Sequence, residues 1–426
     1  MKTISVCEAI GLVQDGCNIV TGLGAAEARS FMQSLHQSPA KDVSVTNCLP
    51  FGDYEFMKDA ERFTVDGWFF GAGMRLLAEN GNISFIPNHL HLAGIKRLAH
   101  VSPDIYVGGA TPPDRNGYVS LSVSNTYERR MIDAAKIVIL ETNSNFPRTF
   151  GDVELHVSKI HYNIDTDYQL PEIPGGEIGE KDMAIGKLIA NYVNDGDCIQ
   201  LGIGGIPNAT ADALAKKKDL GVHTEMLTTG LMRLAKKGVV TGERKNKHRG
   251  KIVCTFILGT KELYDFCHDN PGVLVLDGNY VNDPANISKN DQQVSINTTL
   301  QIDLTGQCCS ESIGHRQFSG TGGQADTAIG AQKSRNGKSF IALYSTANIK
   351  NEDGERVEIS KIVPMLALGA VVSLSRNDVD FVVTEYGVAA LRGTNVRERI
   401  RRLIAIAHPK YRENLGFEAK RMYYSM

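Results

Sequence analysis

Two related α/β lobes, each an open and mostly parallel sheet covered by helices, are predicted by three features of this sequence. The first is a glycine turn. Residues 195–208 read Asp-Gly-Asp-Cys-Ile-Gln-Leu-Gly-Ile-Gly-Gly-Ile-Pro-Asn, followed by a helical pattern over Ala209–Leu220 and a short strand that leads to Glu225. Such a β–turn–α–β unit gathers backbone N–H groups at a helix N-terminus, where they can hold an anion. The second feature is a twin of that turn. Asp15-Gly16, Ile19, Gly22 and Gly24 recur as Asp195-Gly196, Ile199, Gly202 and Gly204 at a constant offset of 180. Each copy follows a helical pattern, Val6–Val13 and Met183–Val193, and each precedes another helix. The third is a weaker echo, since Ala135–Glu141 and Val379–Glu385 are both apolar runs closed by a glutamate. Short continuous apolar runs read as buried parallel strands.

The boundary between the lobes is expected at Gln169-Leu170-Pro171-Glu172-Ile173-Pro174-Gly175-Gly176, where two prolines and two glycines interrupt regular structure. This gives a first lobe over 1–174 and a second over 175–426. A chain of 426 residues is long enough for both to have cores of their own. Lys+Arg 46 against Asp+Glu 48 leaves a net charge of −2, which argues against nucleic acid as the main partner. No apolar run approaches the ~18 residues of a membrane span, and Met1–Glu8 lacks a signal-peptide core. The eight cysteines contain no Cys-x-x-Cys pair and lie in apolar stretches, so they read as reduced core residues. The expectation is a cytoplasmic enzyme.

The charge run Gly242–Lys251 reads as a solvated loop or as a basic patch that meets ligand phosphates. In the glycine turn, Pro207 suits the first helical position and Lys216-Lys217-Lys218 suit a helix C-terminus. Glu225 has three readings at this level. It could hold a ribose hydroxyl in a dinucleotide fold, although Pro207 stands where the third glycine of that fingerprint belongs. It could cap a helix that starts near Met226. It could also be a reactive carboxylate beside the anion site.

Three further stretches bear on the choice. Phe318-Ser319-Gly320-Thr321-Gly322-Gly323-Gln324-Ala325-Asp326 lets bare backbone approach a ligand. Thr384–Gly393 is a strand end followed by a polar turn. Val101–Leu121 contains a proline-closed loop and an Asn116-Gly117 turn.

With these stretches in view, the chain resembles the acetyl-CoA hydrolase/CoA-transferase family, and within it the 4-hydroxybutyrate and butyrate CoA-transferases. The resemblance runs from about residue 75 to 415. It rests on Pro112-Pro113-Asp114, Gly202–Pro207, His223-Thr224-Glu225-Met226, Val281-Asn282-Asp283-Pro284, Ser310–Gly314, Gly320–Asp326, Ser375-Arg376-Asn377, Thr384–Gly393 and Ile406-Ala407-His408-Pro409. It implies two α/β lobes with the active site in the cleft between them, and Glu225 as the catalytic residue. It also implies a CoA-binding loop at Gly202, Ile203, Gly204, Gly205 and Ile206, and a second glycine loop at Gly320, Gly322 and Gly323. Two departures, Ala25-Ala26-Glu27-Ala28 and Thr327 after Asp326, bear on the acyl pocket more than on the reaction.

The reaction so implied moves CoA from an acyl thioester to a free carboxylate. Glu225 attacks the thioester, forms a mixed anhydride, and then carries CoA as a glutamyl thioester, which is nucleophilic catalysis with ping-pong kinetics. CoA is then a substrate, with no tightly bound cofactor, and short-chain acyl groups such as acetyl, butyryl and 4-hydroxybutyryl are the expected cargo. Glu385, His223 and Gln324 are expected near the site, Glu385 either positioning Glu225 or serving as a structural carboxylate. His223 is otherwise an ordinary half-buried histidine. Ser345, after the strand Phe340–Tyr344, either touches CoA or simply ends the strand. His89 and His91 share a face but lack a third metal ligand, and Cys308-Cys309 reads as core. An acyl-CoA hydrolase, an NAD-dependent dehydrogenase and a non-catalytic acyl-CoA sensor stay open as alternatives. Relatives suggest a homodimer or a larger homo-oligomer.

Overall fold

The computed structural model describes residues 1–350 and 354–423. Its twin turns fold alike in detail. In the first, Asp15 accepts the Lys41 N–H at 2.8 Å and the Gly16 N–H reaches the Lys41 carbonyl at 2.9 Å. In the second, Asp195 accepts the Lys218 N–H at 2.8 Å and the Gly196 N–H reaches the Lys218 carbonyl at 2.9 Å. Both glycines have positive φ, 72° and 86°, a backbone that favours glycine. The strands that follow, Asn18–Thr21 and Cys198–Leu201, keep the offset of 180.

Each of these strands is the switch point of a large sheet. The first sheet has eight strands in the order Lys2–Thr3, Tyr162–Asp165, Ile137–Thr142, Ile105–Ala110, Asn18–Thr21, Val43–Asn47, Phe63–Gly67, Ile83–Phe85. All its pairs are parallel. The chain runs outward from Asn18–Thr21 on one side, then returns and fills the other. The nine-stranded second sheet repeats this about Cys198–Leu201. Gly221–His223, Ile252–Cys254 and Val273–Val275 lie to one side, and Gln293–Thr298, Lys338–Ala342 and Phe381–Thr384 to the other. Gly387–Ala390 closes that side as an antiparallel edge. At the opposite edge Phe150–Gly151, which comes from the first half of the chain, pairs with Val273–Val275.

Alternation along the strands sorts the core into layers. Val20, Tyr106 and Leu140 of the first sheet share one buried cluster with Ile199, Val222, Val294 and Phe340 of the second. Their neighbours Ile19, Val45 and Val107 point into a cluster confined to the first lobe. Ile341 and Val382 point into a cluster confined to the second. The lobes are therefore packed on a common interior.

One local expectation changes and two open readings narrow. The helix after the second glycine turn is Gly205–Ala213, so Pro207 lies inside its first turn and Lys216–Lys218 fall beyond its end. It starts early because Gly204, at φ 110°, turns the chain directly into it. The helix after Glu225 begins at Thr229 with Thr228 as its cap, so Glu225 caps nothing. The 242–251 run is a loop tied to its own surroundings. Lys245 is buried and donates to the Val222 and Lys251 carbonyls, and Arg244 and Arg249 pair with Asp219 and Glu243. Among the described residues, no helix is long and apolar enough to cross a membrane.

Candidate active site

Glu225 occupies the gap between two short strands, Gly221–His223 and Met226–Leu227. The gap is held rigidly. Its own carbonyl accepts N–H groups from Thr255 and Phe256 at 2.9 and 3.2 Å, and the Thr224 N–H reaches the Val253 carbonyl at 3.0 Å. The side chain therefore leaves a fixed backbone.

Two groups receive the carboxylate. The Asn282 amide donates to Oε2 at 2.6 Å, and the Gly323 N–H donates as well. Burial pushes the carboxyl up to about 7. The charge of Asp326 adds to that rise, while Asn282 and Gly323 oppose it by bonding the anion. Glycine is obligatory at 323, because a Cβ there would overlap Oε2 of Glu225 and the Asn282 amide. Gly322, at φ 53°, also faces Glu225, with Oε1 3.8 Å from where its Cβ would stand.

The carboxylate opens into a cleft between the lobes. Leu23, Cys48, Leu49, Phe69 and Leu90 of the first lobe form one wall. Gln200–Ile203, Asn297, Thr298 and the loop Ser319–Gln324 form the other. Gln200–Gly202 and Asn297-Thr298 are the carboxyl ends of the two strands at the switch point of the second sheet, where ligands of open α/β sheets bind. Glu225 is the only charged side chain lining this cleft among the described residues. A second groove of ≈ 580 Å³ shares Ile203, Thr298 and Ser310 with it, and continues past Gly204, Gly205, Ile206 and Pro207 to Tyr344 and Lys361.

The glycine loops divide their work in a way the sequence did not reveal. A Cβ on Gly320 would strike the Trp68 carbonyl and the Phe69 backbone, so that glycine permits close lobe-to-lobe packing. The Phe70 N–H, bonded to the Ser319 carbonyl at 3.2 Å, crosses the same seam. In the first lobe, the twin turn is blocked as an anion site. The Glu141 carboxylate accepts the Ser30 and Phe31 N–H groups of the helix Arg29–Ser34. Glu385, the counterpart of Glu141 in the weaker echo, caps no helix.

The remaining expectations divide. Gln324 lines the cleft, bonded to Ser310 and to the Thr298 carbonyl. His223 is buried behind Glu225 and outside the cleft. Its Nε2 donates to the Val281 carbonyl at 2.8 Å, beside Asn282, and burial pushes its pKa down to about 3, so it is neutral. For two residues the structure favours the second of the alternatives. Ser345 is fully buried, and its hydroxyl donates to Glu385 at 2.7 Å. Glu385 makes no contact with Glu225. It takes the Ser345 N–H and hydroxyl and pairs with Lys181 at 3.3 Å, and these bonds outweigh burial to hold its pKa below the usual value.

The sequence reading gave no role to Asn282, Asp326 or Lys361. Asn282 stood inside the quoted Val281–Pro284 motif, but only the fold brings it to Glu225. His91 and, more distantly, His89 turn to Asp326, with Nδ1–Oδ1 separations of 2.8 and 3.8 Å. No group of three or more His, Cys, Asp or Glu among the described residues is arranged to hold a metal ion. Cys308 and Cys309 are buried.

Comparison with known proteins agrees with this architecture. Residues 1–173 match the acetyl-CoA hydrolase/transferase N-terminal domain and residues 259–419 the C-terminal domain. The chain is 39% identical to the 4-hydroxybutyrate coenzyme A transferase of Clostridium kluyveri, covering 99% of this chain and 98% of that protein. It is 42% identical to the succinyl-CoA:cyclohexane-1-carboxylate CoA transferase of Geobacter metallireducens, covering 99% and 95%. The crystal structure of RipA from Yersinia pestis superposes with a TM-score of 0.92 at 33% identity, covering 99% and 98%. With matching halves, a full-length likeness and a carboxylate in the interlobe cleft, the chain belongs to the acetyl-CoA hydrolase/transferase family.

Proposed function

We propose that this protein is a CoA-transferase that moves CoA between a short-chain acyl-CoA and a short-chain monocarboxylate, with Glu225 as the covalent carrier. The observation that carries the reading is Glu225 itself, a carboxylate bonded to Asn282 and Gly323 that is, among the described residues, the one charged group lining the cleft. The Glu225 anion attacks the thioester carbonyl, and CoA leaves as thiolate, giving an acyl–glutamyl anhydride. The thiolate attacks the glutamyl carbonyl, the acid departs, and a glutamyl-CoA thioester remains. A second carboxylate reverses both steps, and no proton is transferred. The backbone N–H groups of the two glycine loops are the donors we assign to the oxyanions, each such donor being worth ~3 kcal/mol.

The walls speak for the cargo. Leu23, Leu49, Phe69, Leu90, Met226 and Phe256 suit an uncharged acyl chain, and among the described residues no lysine or arginine lines the cleft to receive a second carboxylate. The named relatives act on differing acids, which is why the pocket is the better guide. The groove past Gly204–Pro207 to Lys361 is our path for the pantetheine arm, with Lys361 as its cation. Lobes divided as 1–174 and 175–426, a cytoplasmic setting and a homo-oligomer complete the reading.

The test is borohydride reduction of protein mixed with butyryl-CoA, followed by mass spectrometry. Reduction of Glu225 to the alcohol supports the carrier role, and an unmodified Glu225 sinks it. Thiol release that is fast and indifferent to added acetate would make the protein a hydrolase instead.

A further inference from the structure

Asp326 makes a charged contact that neither glycine loop requires. It stands in the first turn of the helix Gln324–Lys333, just past the loop that faces Glu225, and is 1% exposed. Its partners come from the opposite lobe. The His91 N–H donates to Oδ2 at 3.1 Å, its ring Nδ1 lies 2.8 Å from Oδ1, and Nδ1 of the more exposed His89 is 3.8 Å from the same oxygen. His91 is itself anchored, since its carbonyl accepts the Asn279 amide at 3.0 Å.

A buried anion beside a nucleophilic carboxylate works against the nucleophile, because like charges resist ionising together. Asp326 does raise the hold of Glu225 on its proton, after burial. How much of that charge Glu225 feels depends on His91. Burial lowers the proton affinity of His91, but its bond to Asp326 and the charges of Asp326 and Asp283 outweigh burial and Lys96, and leave it raised. Around Glu225 the other neighbours are Asn282, the Gly323 N–H and the Cys48 thiol.

We propose that His91 is a positioning residue that reaches across the lobes, fixes Asp326 and, while protonated, cancels its charge at Glu225. The nucleophile then ionises beside a neutral pair instead of a second anion. This rests on Glu225 as the carrier.

The experiment is the pH dependence of kcat/KM for CoA exchange in the full-length protein, with borohydride trapping at each pH. Wild type, His91→Asn, Asp326→Asn and the double variant are compared. His91→Asn keeps a donor to Asp326 without the charge. Its acid limb should move up by about one pH unit, roughly a tenfold loss on the acid side that fades as pH rises. Asp326→Asn removes a charge already cancelled, together with the bond that holds the proton on His91, so the limb should stay near its wild-type position, and adding His91→Asn to it should then change nothing further. An unmoved limb in His91→Asn, or a loss equal at every pH, overturns the proposal and leaves a plain interlobe tie. If His91→Asn does not fold, Asp326→Asn decides alone: an unmoved limb supports the cancelled charge, and a limb moved down overturns it. Failure of wild type to trap glutamyl-CoA is the separate result that would remove the carrier reading.

Discussion

The amide of Asn282 meets Oε2 of Glu225 at 2.6 Å, and Asn282 is itself held from behind by the bond of His223 to the neighbouring Val281 carbonyl. The Glu225 carboxylate is thus aimed by a buried chain of neutral donors. Removing Asn282 by substitution to alanine should cost ~1.5–3 kcal/mol, the worth of a hydrogen bond to a charged group, or roughly ten- to hundredfold in kcat/KM. The acid limb should also shift to higher pH, because the bond lost is one that favours the anion. Steady-state kinetics from pH 5.5 to 9 would check both.

On the proposed reading Glu225 attacks as the anion, so with a pKa of about 7 the rate should rise with pH and level off above that value. Glu225→Gln should lower exchange by ~10³-fold or more. Stability has the opposite sign. A carboxyl raised from 4.5 to about 7 binds more protons folded than unfolded across that window, so its contribution falls as pH rises through it. Melting curves should therefore find Glu225→Gln more stable than wild type at pH 8, and the difference should vanish near pH 4.

Gly323→Ala inserts a methyl group where Oε2 of Glu225 and the Asn282 amide already sit. The carboxylate must swing aside, and a displacement of ~1 Å at a reacting group costs on the order of a hundredfold in rate. Overpacking should also lower stability by ~1–3 kcal/mol. Kinetics and denaturant titration of the same variant separate the two effects.

Lys361 lines the second groove over the Tyr344 ring, and burial pushes its pKa down to about 8. Lys361→Ala should raise KM for the acyl-CoA by on the order of tenfold with kcat little changed, the signature of lost uniform binding. In wild type, KM should climb as pH passes about 8 and the cation is lost. The variant should lack that climb.

Much of this was legible in the sequence, for physical reasons. The turn at 195–208 and its twin at 15–24 declare themselves because positive-φ glycines and the aspartates that bond the next loop are local requirements. At Glu225 the glycine turn nearby left three readings open, and the resemblance to the family singled it out. Asn282, Asp326 and His91 were not legible, since each gains its meaning from a partner far along the chain, and a single sequence carries no distance between them. Ser345 and Glu385 were left with two readings each for the same reason. Both close strand Lys338–Ala342 or its neighbour, where an active site would be expected, yet they bond each other instead.

The two-residue strand Phe150–Gly151 is lent by the first half of the chain to the edge of the second sheet. Such a loan forbids a wide hinge. Opening the molecule like a book would break this backbone ladder and split the shared interior. The anhydride we propose would then be sheltered by the standing shape of the cleft.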